Sequence, residues 1–354
     1  MDKLSETLMR WDSKKPLSPD DLVKLNRKIT LDFNFNSNHI EGNTLTYGQT
    51  EILLLTGQVI GTAKMRDLEE MKAHNVCLNM VRQEASEGRP LTENFIRQIH
   101  KVMLREDYEV HRQLPGGKTT SYTVHAGRYK TRPNSVITPS GERFEYASPE
   151  ETPALMTDLL DWYRDADASG WYTPIELAAL FHYRYIRIHP FEDGNGRISR
   201  LMVNFILLSH DWPMLVVKTA NKDKYLAALR LVDNITGPIP SEGSHASMEQ
   251  AKAFVDYLTG VFIDDVTSMI DFLEGDNDKT CWFQGRVVHF RSHNSIKILR
   301  LLTTEPNATV DRLADVTGIS RTSIQKQLKG LAEKGYIIRP EGKKRGWIVI
   351  ARCS

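Results

Sequence analysis

Long apolar runs are missing from this chain. The longest, such as Phe205 to Leu208 and Ile52 to Leu55, fall far short of the roughly 20 residues that a membrane span needs. No membrane insertion is expected. Met1 to Trp11 mixes charges with apolar residues at helical spacing and lacks the unbroken apolar stretch of a secretion signal, so a soluble, cytoplasmic protein is expected. Cysteine is scarce: Cys77, Cys281 and Cys353 are odd in number, with neither paired nor metal-type spacing. Buried or bystander thiols are therefore expected rather than a disulfide framework or a zinc site. Repeats and low-complexity tracts are absent. Net charge is almost absent too, at +1, but it is unevenly spread. From Arg291 onward there are 13 Lys and Arg against 5 Asp and Glu, a surplus of +8 that leaves −7 for the rest. The tail is a separate electrostatic unit.

What is present points to a helical protein. With 354 residues, 40% hydrophobic and 26% charged, the chain is ordinary for a globular protein of two or three domains. From Met1 to roughly Leu273, apolar residues recur at three and four while Gly and Pro collect between the periodic runs. Thr173-Pro174-Ile175-Glu176 supplies a capping hydroxyl, a proline at the first helical position and a reciprocal glutamate. Leu177, Phe181, Tyr185 and Ile188 continue it as one apolar stripe. A second helix is predicted from about Gly196 to Ser209, with Leu201, Phe205 and Leu208 buried. Residues Ser121 to Ser148 break the pattern, and Asn134 to Tyr146 suits a hairpin turning at Pro139-Ser140-Gly141. The tail reads as three helices and a two-stranded ribbon. Its helices carry Ile296, Leu299 and Leu302, then Val310, Leu313 and Val316 before a turn at Gly318, then Ile324, Leu328 and Leu331 behind a Ser320 cap. Strands at Tyr336 to Ile338 and Trp347 to Ile350 flank a basic turn with Lys343, Lys344 and Arg345. That is a helix-turn-helix with a wing. The expected fold is mainly α with a β-hairpin flap, followed by a small α+β winged-helix domain. Its parts are residues 1–110, 111–274, a linker at 275–290, and 291–354.

The chemistry is concentrated in His189-Pro190-Phe191-Glu192-Asp193-Gly194-Asn195-Gly196-Arg197-Ile198-Ser199-Arg200, between the two apolar helices. Glycines around Asn195 let successive N–H groups turn toward one point, which is also the positive end of the following helix. A phosphate fits there. Arg197 and Arg200, three apart, share a helical face and suit phosphate oxygens further along a ligand. Asp193 is a hard oxygen ligand suited to magnesium, which takes one or two carboxylates plus substrate phosphates. His189 is the nearby group able to take a proton near neutral pH. Singly, each has a plain structural use; within twelve residues they read as a phosphoryl or nucleotidyl transfer centre.

The run resembles the Fic family signature HPFx(D/E)GNGRxxR at every specified position. The resemblance implies a protein adenylyltransferase that moves AMP from ATP onto a Ser, Thr or Tyr hydroxyl of a target protein, or of itself. It implies His189 as the base and Asp193 as the magnesium ligand. Gly194, Asn195 and Gly196, with Ile198 and Ser199 behind them, form the anion hole. Arg197 and Arg200 lie on the β- and γ-phosphates, and Phe191 is a buried anchor. Members that phosphorylate carry a lysine where this chain has Gly196, which favours adenylyl transfer. Upstream, Ser37-Asn38-His39-Ile40-Glu41-Gly42-Asn43 resembles the family's inhibitory motif (S/T)xxxE(G/N). Lying N-terminal to the catalytic run, it implies a class II member in which Glu41, set by Ser37 and Gly42, takes the Arg200 guanidinium meant for the γ-phosphate. By the residues alone, Glu-Gly-Asn is also a plausible helix end. Ala126-Gly127-Arg128-Tyr129-Lys130 and the following strands resemble the family's flap, with Lys130 where arginine is common. Tyr225 resembles a tyrosine near the adenine, though a tyrosine on a helix face is also an ordinary core residue.

Two other functions compete. The same site run backward would remove AMP from a modified protein, with Glu41 positioning water. Residues 291–354 could bind DNA through Arg321, Thr322, Gln325 and Lys329 on the third tail helix, although winged helices also serve as protein contacts. The target and the oligomeric state, a homo-oligomer included, are not legible.

Overall fold

The structure, a computed structural model, describes residues 2–113, 119–137, 143–274, 280–284, 286–290, 292–340 and 346–351. The chain opens with helices α1 (Lys3–Asp12), α2 (Pro19–Ile40), α3 (Tyr47–Thr56), α4 (Met65–Ser86) and α5 (Glu93–Leu104). Two antiparallel strand pairs follow, β1 (Tyr108–Gln113) with β2 (Thr119–Val124) and β3 (Ser135–Ile137) with β4 (Arg143–Glu145). Next come α6 (Thr152–Ser169), α7 (Pro174–Ile188), α8 (Asn195–Ser209), α9 (Lys222–Thr236), α10 (Pro240–Ser244) and α11 (Met248–Glu274). The last elements are β5 (Thr280–Phe283), β6 (Arg286–His289), α12 (His293–Thr304), α13 (Val310–Thr317), α14 (Arg321–Glu333), β7 (Ile337–Ile338) and β8 (Ile348–Val349). Among the described residues no helix is long and apolar enough to cross a membrane. The chain divides into two compact units. One comprises Met1–Asp12, Phe33–Thr44 and Lys64–Val266; the other comprises Ser13–Asp32, Leu45–Ala63 and Thr267–Ser354.

The first unit is built around α7 and α8, which pack on each other, with α4 on α8 and α6 on α7. Helix α7 starts where the sequence predicts. Thr173 accepts from the Glu176 N–H and Glu176 returns to the Thr173 N–H at 2.8 Å, with Pro174 at the first helical position. The expected stripe of Leu177, Phe181, Tyr185 and Ile188 is buried, and Ala178, Leu180, Tyr183 and Arg187 are enclosed as well. The helix is therefore central, not a surface helix with one apolar face. It ends at His189, whose left-handed φ of 52° turns the chain out of the helix. The predicted flap strands are present, paired Ser135↔Glu145 and Val136↔Phe144; the turn expected at Pro139-Ser140-Gly141 lies outside the described residues. The β1–β2 pair was not anticipated.

In the second unit, Ile296, Leu299, Leu302, Leu313, Ile324, Leu328, Leu331 and Ile337 form a continuous core. Thr309 accepts from the Arg312 N–H at 3.2 Å, Gly318 takes φ 72°, and Ser320 accepts from the Ser323 N–H at 3.3 Å, which delimits α13 and α14 as read. The two short wing strands pair Ile337↔Val349 and Ile338↔Ile348, while Lys343, Lys344 and Arg345 lie outside the described residues. Val316, read on the apolar side of α13, is 40% exposed, while Leu313 of the same helix is fully buried in the core. Residues 280–289, expected within a linker, form the β5–β6 pair, and Cys281 and Phe283 enter the core. Phe283 and Phe290 both meet Tyr336 edge-on, at 4.7 and 5.1 Å between ring centroids. Cys281 is disulfide-bonded, which corrects the expectation of an unpaired thiol there; Cys77 is free and buried.

The capping box makes a measurable claim. Thr173→Ala should lower stability by about 1 kcal/mol, read as a shift in the urea midpoint. No shift would show that α7 is held by burial alone.

Candidate active site

The loop between α7 and α8 is closed by its own side chains. Asn195 accepts from the Phe191 N–H at 3.0 Å and donates to the Phe191 carbonyl at 2.7 Å, which cross-braces the turn. Phe191 is fully buried, with His100 stacked on it at 3.8 Å and 8° between planes. His100 accepts the Gly127 N–H on Nδ1 at 2.8 Å and donates from Nε2 to the Asp193 carbonyl at 3.2 Å. Burial holds this imidazole neutral, down to about 4. Gly194, at φ 80°, opens α8, and the Ser199 hydroxyl donates back to the Gly196 carbonyl at 2.8 Å. The loop is thus fixed before any ligand arrives.

Asp193 lies at the rim. Its carboxylate accepts from Tyr108 at 2.7 Å, from the Gly194 N–H at 2.6 Å and from Arg197 at 3.4 Å. Burial works to raise its pKa, but Arg197, Tyr108 and the Gly194 N–H outweigh it and hold the carboxyl below its ordinary range. Among the described residues, no group of three or more His, Cys, Asp or Glu could hold a metal ion by itself. A single ionised carboxylate beside a phosphate cradle nevertheless fits magnesium, whose remaining ligands are characteristically water and substrate oxygens. Arg197 is 3% exposed, and its Nε has no hydrogen-bond partner among the described residues. A buried donor left open in this way calls for an acceptor.

Arg200 is as enclosed as Arg197, at 3% exposure. Its Nε donates to the Ser37 hydroxyl at 3.0 Å, and its Nη2 to the Ser37 carbonyl at 2.9 Å and to the Glu41 carboxylate at 2.7 Å. Helix α2 ends at Ile40, and Gly42 takes φ 95°. The Ser37 to Asn43 segment is thus a helix end, and that end brings Glu41 to Arg200. Asn43 fastens the turn on the Asp67 carbonyl at 2.9 Å, and Lys222 caps the Ile40 carbonyl at 2.6 Å. A Cβ added to Gly196 would overlap the Glu41 carboxylate. The carboxylate thus sits on the open face of the glycine cradle.

His189 is partly exposed. Tyr146 stacks on its ring at 4.0 Å, and the amides of Asn134 and Asn195 face its Nδ1 at 2.8 and 3.2 Å. Burial, then the Lys130 ammonium, push its pKa down to about 3, against a smaller pull from Asp193. Lys130 donates to Asn134 Oδ1 and to the Ile188 and His189 carbonyls, at 2.9, 3.0 and 3.0 Å, so it closes the C-terminal end of α7. Tyr225 is 3% exposed and bonded to His182 Nε2 at 2.8 Å, inside a cluster with Phe254 and Tyr257. The structure therefore brings Ser37, Glu41, Asp193, Gly196, Arg197 and Arg200 together, and sets Tyr225 in the core beside them. Sequence reasoning missed Tyr108, His100, Asn134 and Tyr146. None has a local signal, since each meets the loop across tens of residues of chain.

A model of the Fic/DOC family matches residues 90–207, and a model described as winged helix-turn-helix DNA-binding matches residues 291–338. A Fic domain containing signaling protein from Bacteroides thetaiotaomicron is 49% identical and superposes with a TM-score of 0.72, covering 78% of this chain and 98% of that one. A Fic family protein from Desulfovibrio desulfuricans, 20% identical, shares the fold over 99% of this chain and 95% of its own with a TM-score of 0.56. Protein adenylyltransferase fic-1 of Caenorhabditis elegans is 31% identical over 195 residues, which are 55% of this chain and 35% of that protein. The chain spans about a third of the length of such curated relatives.

Removing the Ser37 hydroxyl leaves one N–H of the buried Arg200 without an acceptor. Ser37→Ala should therefore destabilise the protein by about 1–3 kcal/mol in urea denaturation. An unchanged midpoint would mean that the hydroxyl carries no part of holding Arg200.

Proposed function

Because the chain belongs to the Fic/DOC family, we propose that it is a protein adenylyltransferase, moving AMP from ATP to a Ser, Thr or Tyr hydroxyl, and that Glu41 restrains it. The observation that carries this reading is the Glu41 carboxylate on Arg200, 2.7 Å from the guanidinium and over Gly196. An anion drawn from the chain itself stands where a phosphate would stand. The names of curated relatives, protein adenylyltransferases, support the activity. Residues 111–274 carry the chemistry, residues 1–110 the restraint, and residues 291–354 an attached winged helix.

Gly194, Asn195 and Gly196 cradle the phosphates at the α8 N-terminus, with Ile198 and Ser199 fixing the first turn behind them. The open donor of Arg197 and the guanidinium of Arg200 take oxygens further along the ligand. The target oxygen attacks the α-phosphorus; that bond forms as the bond to the β-phosphate oxygen breaks, and pyrophosphate leaves. His189 takes the hydroxyl proton. Asp193 would hold magnesium, which supplies neutralisation of phosphate charge when bound. Phe191 anchors the loop, and Tyr225 supports Arg200 from the core. While Glu41 holds Arg200, the terminal phosphate loses its partner and the α-phosphate is misaligned for attack.

The test is incorporation of AMP from α-labelled ATP with magnesium. Glu41→Gly should raise labelling of the protein itself or of a target, and adding His189→Ala should lower it about 10²–10⁴-fold. Equal labelling by wild type and Glu41→Gly rejects the restraint. Release of AMP from a modified protein, lost in Glu41→Ala, would instead assign the reverse reaction.

A second activity is favoured by α14, which exposes Arg321, Thr322, Gln325, Lys326 and Lys329 opposite the buried Ile324, Leu328 and Leu331. That is the face a recognition helix turns to the major groove. Duplex DNA of mixed sequence should be retarded on a gel at low salt, with affinity falling steeply as salt rises. Absence of any salt-dependent shift would leave α12 to α14 as a protein-contact module.

A further inference from the structure

The hydrogen bonds around His189 fix which of its nitrogens carries the proton. Asn134 Nδ2 lies 2.8 Å from His189 Nδ1, and Asn195 Nδ2 lies 3.2 Å from it. Neither amide can be turned over without loss. Asn134 Oδ1 accepts from the Lys130 ammonium at 2.9 Å while its Nδ2 donates to the Phe191 carbonyl at 2.9 Å. Asn195 Oδ1 accepts from the Phe191 N–H at 3.0 Å while its Nδ2 donates to the same carbonyl at 2.7 Å. A flip of either would set oxygen against oxygen, and for Asn134 also an NH2 against an ammonium. Among the described residues, Nδ1 thus meets N–H donors only and accepts from them. A neutral imidazole that accepts on Nδ1 carries its hydrogen on Nε2. The ring has little freedom to escape this arrangement, since Tyr146 is stacked on it at 4.0 Å with planes 12° apart. Turning the ring over would present carbon-bound hydrogen to both amides and forfeit both bonds.

An imidazole with hydrogen on Nε2 donates there and cannot take a proton there. The base that adenylyl transfer needs has the opposite arrangement, with Nδ1–H given to an acceptor and a lone pair on Nε2. In a serine protease, exchanging the carboxylate behind the histidine for an amide produces this wrong tautomer and costs about 10⁴ in rate. The charged groups facing His189 are Lys130, which disfavours the imidazolium, and Asp193, which favours it more weakly; burial outweighs both. We propose that Asn134 is a positioning residue that selects the His189 tautomer, holding it in the non-basic form in this resting state. Asn134 immediately precedes β3, so displacement of that strand would remove the shorter of the two amide contacts on Nδ1 and leave only the longer one from Asn195, at 3.2 Å. This inference rests on the reading of His189 as the base, but its first test does not.

With 15N-labelled histidine, long-range proton–nitrogen spectra report the tautomer directly, His189→Ala identifying the signal. Wild type at neutral pH should show Nε2 protonated and Nδ1 bare, and Asn134→Asp should reverse the pattern by accepting from Nδ1. The Phe191 carbonyl keeps Asn195 as its donor in that variant. Protonated Nδ1 in wild type, or an unchanged pattern in Asn134→Asp, overturns the proposal. In the Glu41→Gly background, Asn134→Asp should raise AMP incorporation about tenfold or more and move the acid limb of the pH profile upward, while Asn134→Ala should not lower it. A purely structural Asn134 would instead lose rate in both variants with no change of profile. If no variant incorporates AMP, the proposed activity fails while the spectra still decide the tautomer.

Discussion

A guanidinium with 3% exposure sets the terms for everything around it. A buried guanidinium left without acceptors is costly, so Arg200 must be matched in whatever state the protein occupies, although its partner Glu41 is 38% exposed and solvent screens part of that attraction. Ser37 supplies two neutral acceptors and Glu41 the negative charge. A Cβ on Gly196 would already overlap that carboxylate. Under the proposed function, a bound phosphate and Glu41 are alternatives for one seat. The carboxylate is tethered and the phosphate is dissolved, which gives the carboxylate the advantage of high effective concentration. Restraint needs no strained conformation on this account, only a short helix end held at the right distance.

That distance is set away from the charges. Lys222 caps the last carbonyl of α2, Asn43 hangs the turn on the Asp67 carbonyl, and Gly42 supplies the left-handed residue that the bend requires. On the other side, Asn195 cross-braces the loop through both backbone atoms of Phe191, whose ring is clamped by His100. Both halves of the site are thus positioned by neutral hydrogen bonds and burial. The charged groups then meet with little left to order, the condition under which electrostatic contacts are strongest.

What the sequence made legible follows from the range of the interaction. Contacts within a turn or two of helix could be read: the Thr173 and Glu176 cap, the opening of α8, the caps at Thr309 and Ser320, and the conjunction of residues from His189 to Arg200. The Glu41 pairing, across 159 residues, was reached only by family resemblance. Contacts without either signal were lost. Tyr108 reaches Asp193 across 85 residues and Asn134 reaches His189 across 55, and neither spacing leaves a periodicity. The β5–β6 pair was lost for a different reason. It falls inside the linker expected at 275–290, and its short strands read as part of that linker although Phe283 and Cys281 are core residues.

Under the two proposals above, Glu41 and Asn134 restrain different halves of one reaction. The first governs where the phosphates sit, through Arg200; the second governs where the proton sits, through His189 Nδ1. On that reading, releasing one leaves the other in force. The halves still share one part. Asn195 begins α8, and its amide touches both the Phe191 carbonyl and His189 Nδ1, so the residue that shapes the cradle also faces the base.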